Sequence, residues 1–269
     1  MKVKDVMTKE VIYVNKNDDL RYVIDLMEKH NITKLPVVDD GKVVGIVTDN
    51  KIADKIGSIR SKGVPAARLH ASSVMEKEFE TVSPDTSIED ILATVGMPGP
   101  TMLPVVVNGT LVGVVTKADL LPLVKGEEKI ASIMTTPVIT VTVKPDDRVV
   151  HARRLLLEND IARLPVVEDG KVVGIISDKE IAFAFAALKR SFSLGRQQHQ
   201  LKMLLVKDVM KTPPITARDD ISIEEAAKIM IENEVGCLPI IGGDEKIKGI
   251  VTRTDLLHYL RKNYSKGNL

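Results

Sequence analysis

The chain has 269 residues, enough for one large or two modest domains with a real core, and its 38 Lys and Arg balance 37 Asp and Glu. That balance argues against a dominant nucleic-acid or anionic-membrane surface. The single cysteine, Cys237, excludes an internal disulfide and a cysteine-cluster metal site, which makes a cytoplasmic setting the expectation.

The first residues, MKVKDVMTKE, carry charges where a secretory signal needs an apolar run. VIYV (11–14) then reads as a short strand. Leu20, Val23, Ile24 and Met27 recur at the i, i+3, i+4, i+7 spacing of a helix with one apolar face. LPVVDDGKVVGIVTDNK (35–51) reads as a hairpin, with Asp40-Gly41 at its turn and strands apolar on both faces, as in a sheet covered on both sides. A second helix closes the unit, and 57–69, with Gly and Pro, reads as a linker.

The same order returns three times. Val6-Met7 recurs as Val74-Met75, Ile133-Met134 and Val209-Met210, and Pro36 recurs as Pro104, Pro165 and Pro239. From Met to Pro is 29, 29, 31 and 29 residues; from Pro to the next strand's glycine (Gly45, Gly113, Gly174, Gly249) is 9, 9, 9 and 10. The helical stripes are Ile88, Ile91, Leu92, Val95, then Val149, Ala152, Arg153, Leu156, then Ile223, Ala226, Ala227, Met230. The third stripe has an arginine at its third place, and that unit's two extra residues are expected in the loop before the helix. The glycines are expected to recur because the hairpin recurs. KGEE (125–128) reads as a boundary, and 186–203 as a long, partly helical connector. IAFAFAAL (181–188) ends at Lys189, far short of the roughly 18–20 residues that span a bilayer. A β-α-β-β-α unit of about 55 residues buries little surface alone, so units are expected to pack in pairs.

These landmarks, Val-Met, Leu-Pro-Val-Val and Val-Gly-Ile-Val-Thr, resemble the CBS (cystathionine-β-synthase) domain, four times over, at residues 2–56, 70–124, 129–185 and 204–260. The resemblance implies an α/β (α+β) fold of two Bateman modules, 1–124 and 129–260, in a pseudo-symmetric disc similar to the γ subunit of AMP-activated protein kinase and to stand-alone archaeal CBS proteins. It implies a non-catalytic regulator that senses adenosine compounds (AMP, ADP or ATP) between paired repeats and signals to an effector protein, with no obligatory cofactor. The alternatives are a regulator binding S-adenosylmethionine or methylthioadenosine, and a ligand-free scaffold. Helix faces left over from four repeats leave room for a homodimer.

Each second helix opens on a Ser or Thr followed three residues later by a charge: Thr116 and Asp119, Ser177 and Glu180, Thr252 and Asp255, with Lys51 at the first copy's place. One reading is a capping box. The other is a nucleotide site, in which the acid holds ribose hydroxyls and the helix start faces phosphate. Capping favours Glu and ribose reading favours Asp, so Asp119 and Asp255 fit the ligand role, Glu180 fits either and Lys51 neither. In the resembled family the adenine pocket comes from the partner repeat. Asp119 and Thr116 would then face Met7, Val11, Ile12, Ile32 and Thr33. Asp255 and Thr252 would face Met134, Val138, Ile139, Ile161 and Ala162. A weaker cleft would set Ser177 and Glu180 against Pro214, Ile215, Val235 and Gly236. Lys51 would share its cleft with Phe79 and Glu80, pair with the glutamate and leave no room for an adenosine nucleotide.

Lys34, Arg163 and Arg153, with Arg60, Lys62, Arg68 and His70 in the linker and Lys189, Arg190, Arg196, His199 and Lys202 in the connector, are candidate phosphate partners at the disc centre. No P-loop or G-x-G-x-x-G motif is present, the five histidines lack ligand spacing, and Cys237 reads as a buried, inert thiol. An enzyme is therefore not expected.

Overall fold

The apolar stripes become the buried faces of four helices, each followed by a hairpin. The structure, a computed structural model, describes residues 1–57, 69–95, 102–136, 141–191 and 194–264. Repeat one comprises β1 (Val14–Asn15), α1 (Leu20–Lys29), β2 (Lys34–Asp39), β3 (Lys42–Thr48) and α2 (Asp49–Gly57). Repeat two comprises α3 (Ile88–Val95), β4 (Met102–Val107), β5 (Thr110–Thr116) and α4 (Lys117–Leu120). Repeat three has α5 (Val149–Glu158), β6 (Arg163–Glu168), β7 (Lys171–Ser177) and α6 (Asp178–Ser191), followed by the connector helix α7 (Leu194–Met203). Repeat four has β8 (Ala217–Arg218), α8 (Ile223–Glu232), β9 (Cys237–Ile241), β10 (Ile247–Thr252) and α9 (Arg253–Tyr264).

Local chemistry explains the details. Asp40 (φ 47°) and Gly41 (φ 77°) are both left-handed, as a two-residue hairpin turn matching the strand twist requires. The expected VIYV strand shrinks to Val14–Asn15, because Val11 and Ile12 are drawn into a cleft instead. The second helix of repeat two lasts one turn: Pro122 has no N–H to donate, and the chain continues as a 3₁₀ turn over Leu121–Leu123. The two extra residues of repeat three precede its helix, as expected, since α5 begins at Val149.

Paired repeats are stitched by their leading segments. Thr8 exchanges backbone hydrogen bonds with Val114 (2.9 and 2.9 Å), Glu76 with Ile46 (3.0 and 2.8 Å), Thr135 with Ile250 (2.9 and 2.9 Å) and Lys211 with Ile175 (3.1 and 2.8 Å). The methionine before each crossing lies flat on the partner's strand glycine. A Cβ on Gly113 would sit 2.8 Å from Met7 Sδ, on Gly45 2.8 Å from Met75 Sδ, and on Gly174 2.5 Å from Met210 Sδ. On Gly249 it would sit 2.3 Å from the Thr135 carbonyl oxygen. The recurring Met and Gly are therefore two halves of one contact. The hairpin alone, the expected cause, does not require this glycine.

The hairpins meet edge to edge within each pair. The first two repeats share a five-stranded sheet, β1-β2-β3-β5-β4, and the last two touch through Lys171 and Lys246. The apolar cores run the other way. One joins α1, β2 and α2 to α5, β7 and α6; the other joins α3, β4 and α4 to α8, β9 and α9. Burial thus binds repeat one to three and two to four, while the sheet edges and leading segments bind one to two and three to four. Pairing was the expectation; the crosswise cores add a second axis of packing.

Arg153 sits inside the first of these cores, 8% exposed, where the corresponding residue of α1 is Ile24. Both terminal nitrogens of its guanidinium are engaged: Nη1 donates to Asp178, and Nη2 to Asn50 Oδ1 (2.7 Å) and Asp54 Oδ1 (2.5 Å) on α2. Burial pushes the Asp178 carboxyl up to about 6, with Arg153 pulling against it. Among the described residues, no helix is long and apolar enough to cross a membrane.

Candidate functional site

At each helix start the acid and hydroxyl do form a cap. Asp119 Oδ2 accepts the N–H of Thr116 at 2.7 Å and its hydroxyl at 2.6 Å, and the box with Thr116 is complete. Thr252 makes the same two bonds to Asp255 Oδ2, each 2.7 Å, and the Ser177 hydroxyl donates to Glu180 Oε2. Capping and ligand binding do not exclude each other here, because the box uses one carboxylate oxygen. The other oxygen of Asp119 faces across the seam, where it accepts the Thr8 hydroxyl of repeat one at 3.0 Å.

A cavity of about 710 Å³ opens at this seam. It is lined by Thr8, Val11, Ile12, Ile32, Thr33, Thr116 and Asp119 from the first two repeats and by Ser177, Glu180, Pro214, Ile215, Val235 and Gly236 from the last two. Ala162 and Thr252, from the Asp255 cleft, also line it, and Asp255 itself is not among its lining residues. Met7 and Met134 do not line it; they lie against Gly113 and Gly249, and Ile161 packs on the first core. Val138 and Ile139 lie outside the described residues, as do Arg60, Lys62, Arg68 and the side chains of Lys189, Arg190 and Arg196.

Lys51 forms an ion pair across its cleft, with a different partner from the one expected. Lys51 Nζ lies 3.3 Å from Glu76 Oε1, whereas Glu80 is exposed and Phe79 packs on the cluster of Ile46, Met102 and Val114. Glu76 follows Met75 as Thr8 follows Met7, so the leading segment supplies the residue that meets the helix charge.

The 710 Å³ cavity is lined by six cations and five carboxylates, and four of the cations, Lys34, Lys117, Arg163 and Arg253, stand at matching places in the repeats. Lys34 and Arg163 stand two residues before Pro36 and Pro165; Lys117 and Arg253 directly follow the capping Thr116 and Thr252. The Asp119 and Asp255 clefts therefore carry two cations each. At the same places the other two clefts have Met102 and Cys237, and Asp49 and Asp178. Lys117 is only 5% exposed, donates to Thr254 Oγ1 at 2.8 Å, and is lowered to about 8 by burial, with Lys34 and Arg163 adding to the fall. Arg253 is lowered to about 10 by burial and then by Arg163; its Nε is buried with no hydrogen-bond partner among the described residues. Burial also lowers Lys34 and raises Asp49, each opposed by the other's charge. The Arg163 guanidinium lies over Gly236, where a Cβ would come within 2.5 Å of Nη2. Crowded, desolvated cations make this cavity a place where an anion gains on entry.

Thr8, Glu76, Lys117 and Arg253 were missed by the sequence reading. The residue after each capping Ser or Thr runs Asp49, Lys117, Asp178, Arg253, an alternation that aligning the four copies exposes. Among the described residues, no three His, Cys, Asp or Glu side chains group as a metal site, and burial pushes the Cys237 thiol up.

The CBS domain family model matches residues 3–58, 71–126, 130–187 and 206–262. The chain is 28% identical over 278 residues to the uncharacterized protein MJ1225 of Methanocaldococcus jannaschii, covering 96% of this chain and 98% of that one. It is 28% identical to MJ1404 of the same organism, spanning 61% of that protein. The crystal structure of MJ1225, a proposed archaeal homologue of the AMP-activated kinase γ subunit, superposes with a TM-score of 0.84 at 24% identity over 96% of this chain and 99% of that one. An uncharacterized conserved protein from Pyrococcus horikoshii superposes at 0.62 with 20% identity, over 97% of this chain and all of that one. These likenesses show the fold.

Proposed function

This chain belongs to the CBS domain family, and we propose that it is a regulatory module binding adenine nucleotides between paired repeats. The observation that supports this most is the Asp119 carboxylate, held on one oxygen by Thr116 and sharing the other with the Thr8 hydroxyl across the seam, in a cavity lined by Val11, Ile12 and Ile32 and by cations. An apolar slot suits a purine, the acid suits a ribose diol, and Lys34 and Lys117 suit phosphate. Asp255, with Arg163 and Arg253, repeats this set of charges, so these two clefts fill first, the Glu180 cleft fills at higher concentration and the Lys51 cleft stays empty.

Adenosine compounds without phosphate, S-adenosylmethionine and methylthioadenosine, are the second reading. The buried cations beside both capping threonines favour phosphate. Ligand would bridge two repeats and shift their packing, the change an effector protein reads; the module performs no chemistry. A thermal-shift panel of AMP, ADP, ATP, S-adenosylmethionine and methylthioadenosine tests this. A ligand at 100 times its Kd adds about 2.7 kcal/mol to stability, and the phosphorylated compounds are expected to give the shifts. Shifts only from the phosphate-free pair would reverse the order, and none from any compound would favour a scaffold.

A further inference from the structure

The residue after each capping hydroxyl is an acid in two repeats, Asp49 and Asp178, an arginine in the fourth and an amine, Lys117, in the second. Lys117 is only 5% exposed yet lines the 710 Å³ cavity, and its Nζ donates to Thr254 Oγ1 at 2.8 Å across the junction of repeats two and four. We propose that Lys117 is a carbon dioxide site: its neutral amine adds the gas to form a carbamate, an anion held by the cations around it.

The step balances without a redox partner. The Nζ lone pair attacks the carbon of carbon dioxide, the C–N bond forms as one C–O π pair moves onto oxygen, and one N–H proton leaves to solvent. The step needs an amine free of its proton. Burial, with Lys34 and Arg163 adding to it, lowers the Lys117 ammonium to about 8 against the pull of Asp255. Roughly a tenth of the chains then carry the reactive form at pH 7, against roughly one in 2,500 for a lysine in its ordinary range. A side chain this enclosed excludes a modifying enzyme and admits a small neutral gas.

The surroundings suit the product better than the reactant. Lys34 on β2 and Arg163 on β6 act on the amine with like charge, and Asp255 on α9 with opposite charge. An anion there turns two repulsions into attractions and one attraction into a repulsion. Asp119, on the lysine's own helix, is already bonded to Thr116 and Thr8. The Thr254 hydroxyl, an acceptor for the amine, can turn and donate to a carbamate oxygen. Beside it on α9, Arg253 has a buried Nε with no hydrogen-bond partner among the described residues. The fold also holds anions at this place elsewhere. Asp178 in repeat three is 4% exposed and bonded to Arg153, and Asp49 in repeat one is buried against the opposing pull of Lys34.

The test equilibrates the full chain with isotope-labelled carbon dioxide at neutral pH, traps carbamates as ethyl esters with triethyloxonium, and maps the label by peptide mass. Label is expected on Lys117 at least about tenfold above any exposed lysine, and none at that position in Lys117→Arg, which keeps the charge without the nucleophile. The wild-type map locates the label by itself, so a misfolded variant leaves the test intact. Label absent from Lys117, or spread evenly over exposed lysines, overturns the proposal. One consequence rests on the nucleotide reading: the carbamate reverses a charge that suits phosphate. Carbon dioxide that saturates Lys117, at constant pH and ionic strength, should then weaken AMP binding at least about tenfold, and saturating AMP should protect Lys117 from label. Label on Lys117 with no AMP binding at any level of the gas would sink the nucleotide reading and leave the carbamate standing.

Discussion

Lys51 reaches across its cleft to Glu76, Nζ to Oε1 3.3 Å, at the position where Thr8 meets Asp119 in the neighbouring cleft. One pair is an ion pair and the other a hydroxyl on a carboxylate, and only the second leaves an acid to offer a ligand. The pair is about half exposed, so losing it costs only about 0.2–1 kcal/mol. Replacing both residues, Lys51→Asp with Glu76→Thr, should leave the fold intact and create a new site. Crystals soaked with AMP are expected to show this cleft empty in wild type and filled in the double variant. Ligand in the wild-type Lys51 cleft before the Asp119 cleft fills would refute the ranking.

Asp119 and Asp255 should dominate nucleotide affinity. A hydrogen bond to a charged group is worth about 1.5–3 kcal/mol, so Asp119→Asn is expected to weaken AMP at its cleft by roughly ten- to a hundredfold. Asp119→Ala also removes the carboxylate half of the α4 capping box, while Thr116 still caps the Ala118 N–H, at about 0.5–1.5 kcal/mol of stability. Calorimetry and denaturation run together separate the two losses. If the Asp119→Asn, Asp255→Asn double variant binds AMP like wild type, the ribose role is wrong.

Lys117 makes binding pH-dependent. Its ammonium titrates near 8 in the free protein because it is buried beside Lys34 and Arg163. A bound phosphate favours the charged form and raises that value, so binding at pH 8 should take up protons, and affinity should fall as pH rises through 8. The unliganded fold shows the opposite trend. The unfolded state holds this proton up to the ordinary lysine range, so between about pH 8 and 10.5 it binds more protons and stability rises with pH. Titrations in buffers of different ionisation enthalpy read the uptake, which Lys117→Arg should abolish.

Much of this was legible in the sequence because the repeat multiplies weak signals by four. A single Thr116–Asp119 pair is a common cap; three copies beside a Lys51 exception form a contrast. The parts that stayed hidden depend on chain crossings. Thr8 and Glu76 matter because a leading segment lies on the partner's strand, and no spacing within one repeat says so. Lys117 is, by sequence, one more charged residue in the first turn of a helix, and only packing of repeat two against repeat four, with Thr254 as its acceptor, puts it inside. The crosswise cores were hidden for the same reason: an apolar stripe says that a face is buried, not which helix buries it.

The strand glycines should differ in tolerance according to what lies over them. At Gly113 a new Cβ meets first the movable end of Met7; at Gly249 it meets the Thr135 backbone oxygen at 2.3 Å. Gly249→Ala is expected to cost about 1–3 kcal/mol, with no rescue by Met134→Ala. Gly113→Ala should cost less, and Met7→Ala should recover part of the loss. Urea unfolding of the four variants decides this, and rescue at Gly249 would place the clash on the wrong atom.

Arg153 links the start of α6, two residues before Glu180, to α2 of repeat one, and it does so as a buried charge with charged partners. Removing one side of such a network costs about 3–5 kcal/mol, because the carboxylate left behind is buried without its counter-ion, whereas replacing the network by apolar groups is often neutral. Arg153→Leu should therefore be strongly destabilising at pH 8, and adding Asp178→Ala should recover most of the loss, while Asp54, half exposed, hydrates on its own. The pH dependence identifies the cause. Asp178 is already pushed up to about 6 with Arg153 holding it down, and without the arginine it rises further, so the folded variant binds more protons than the unfolded chain and regains stability as pH falls through that value. Unfolding at pH 5 should show a much smaller deficit for Arg153→Leu than at pH 8. An equal deficit at both would mean that lost packing, not the stranded Asp178 charge, destabilises the core.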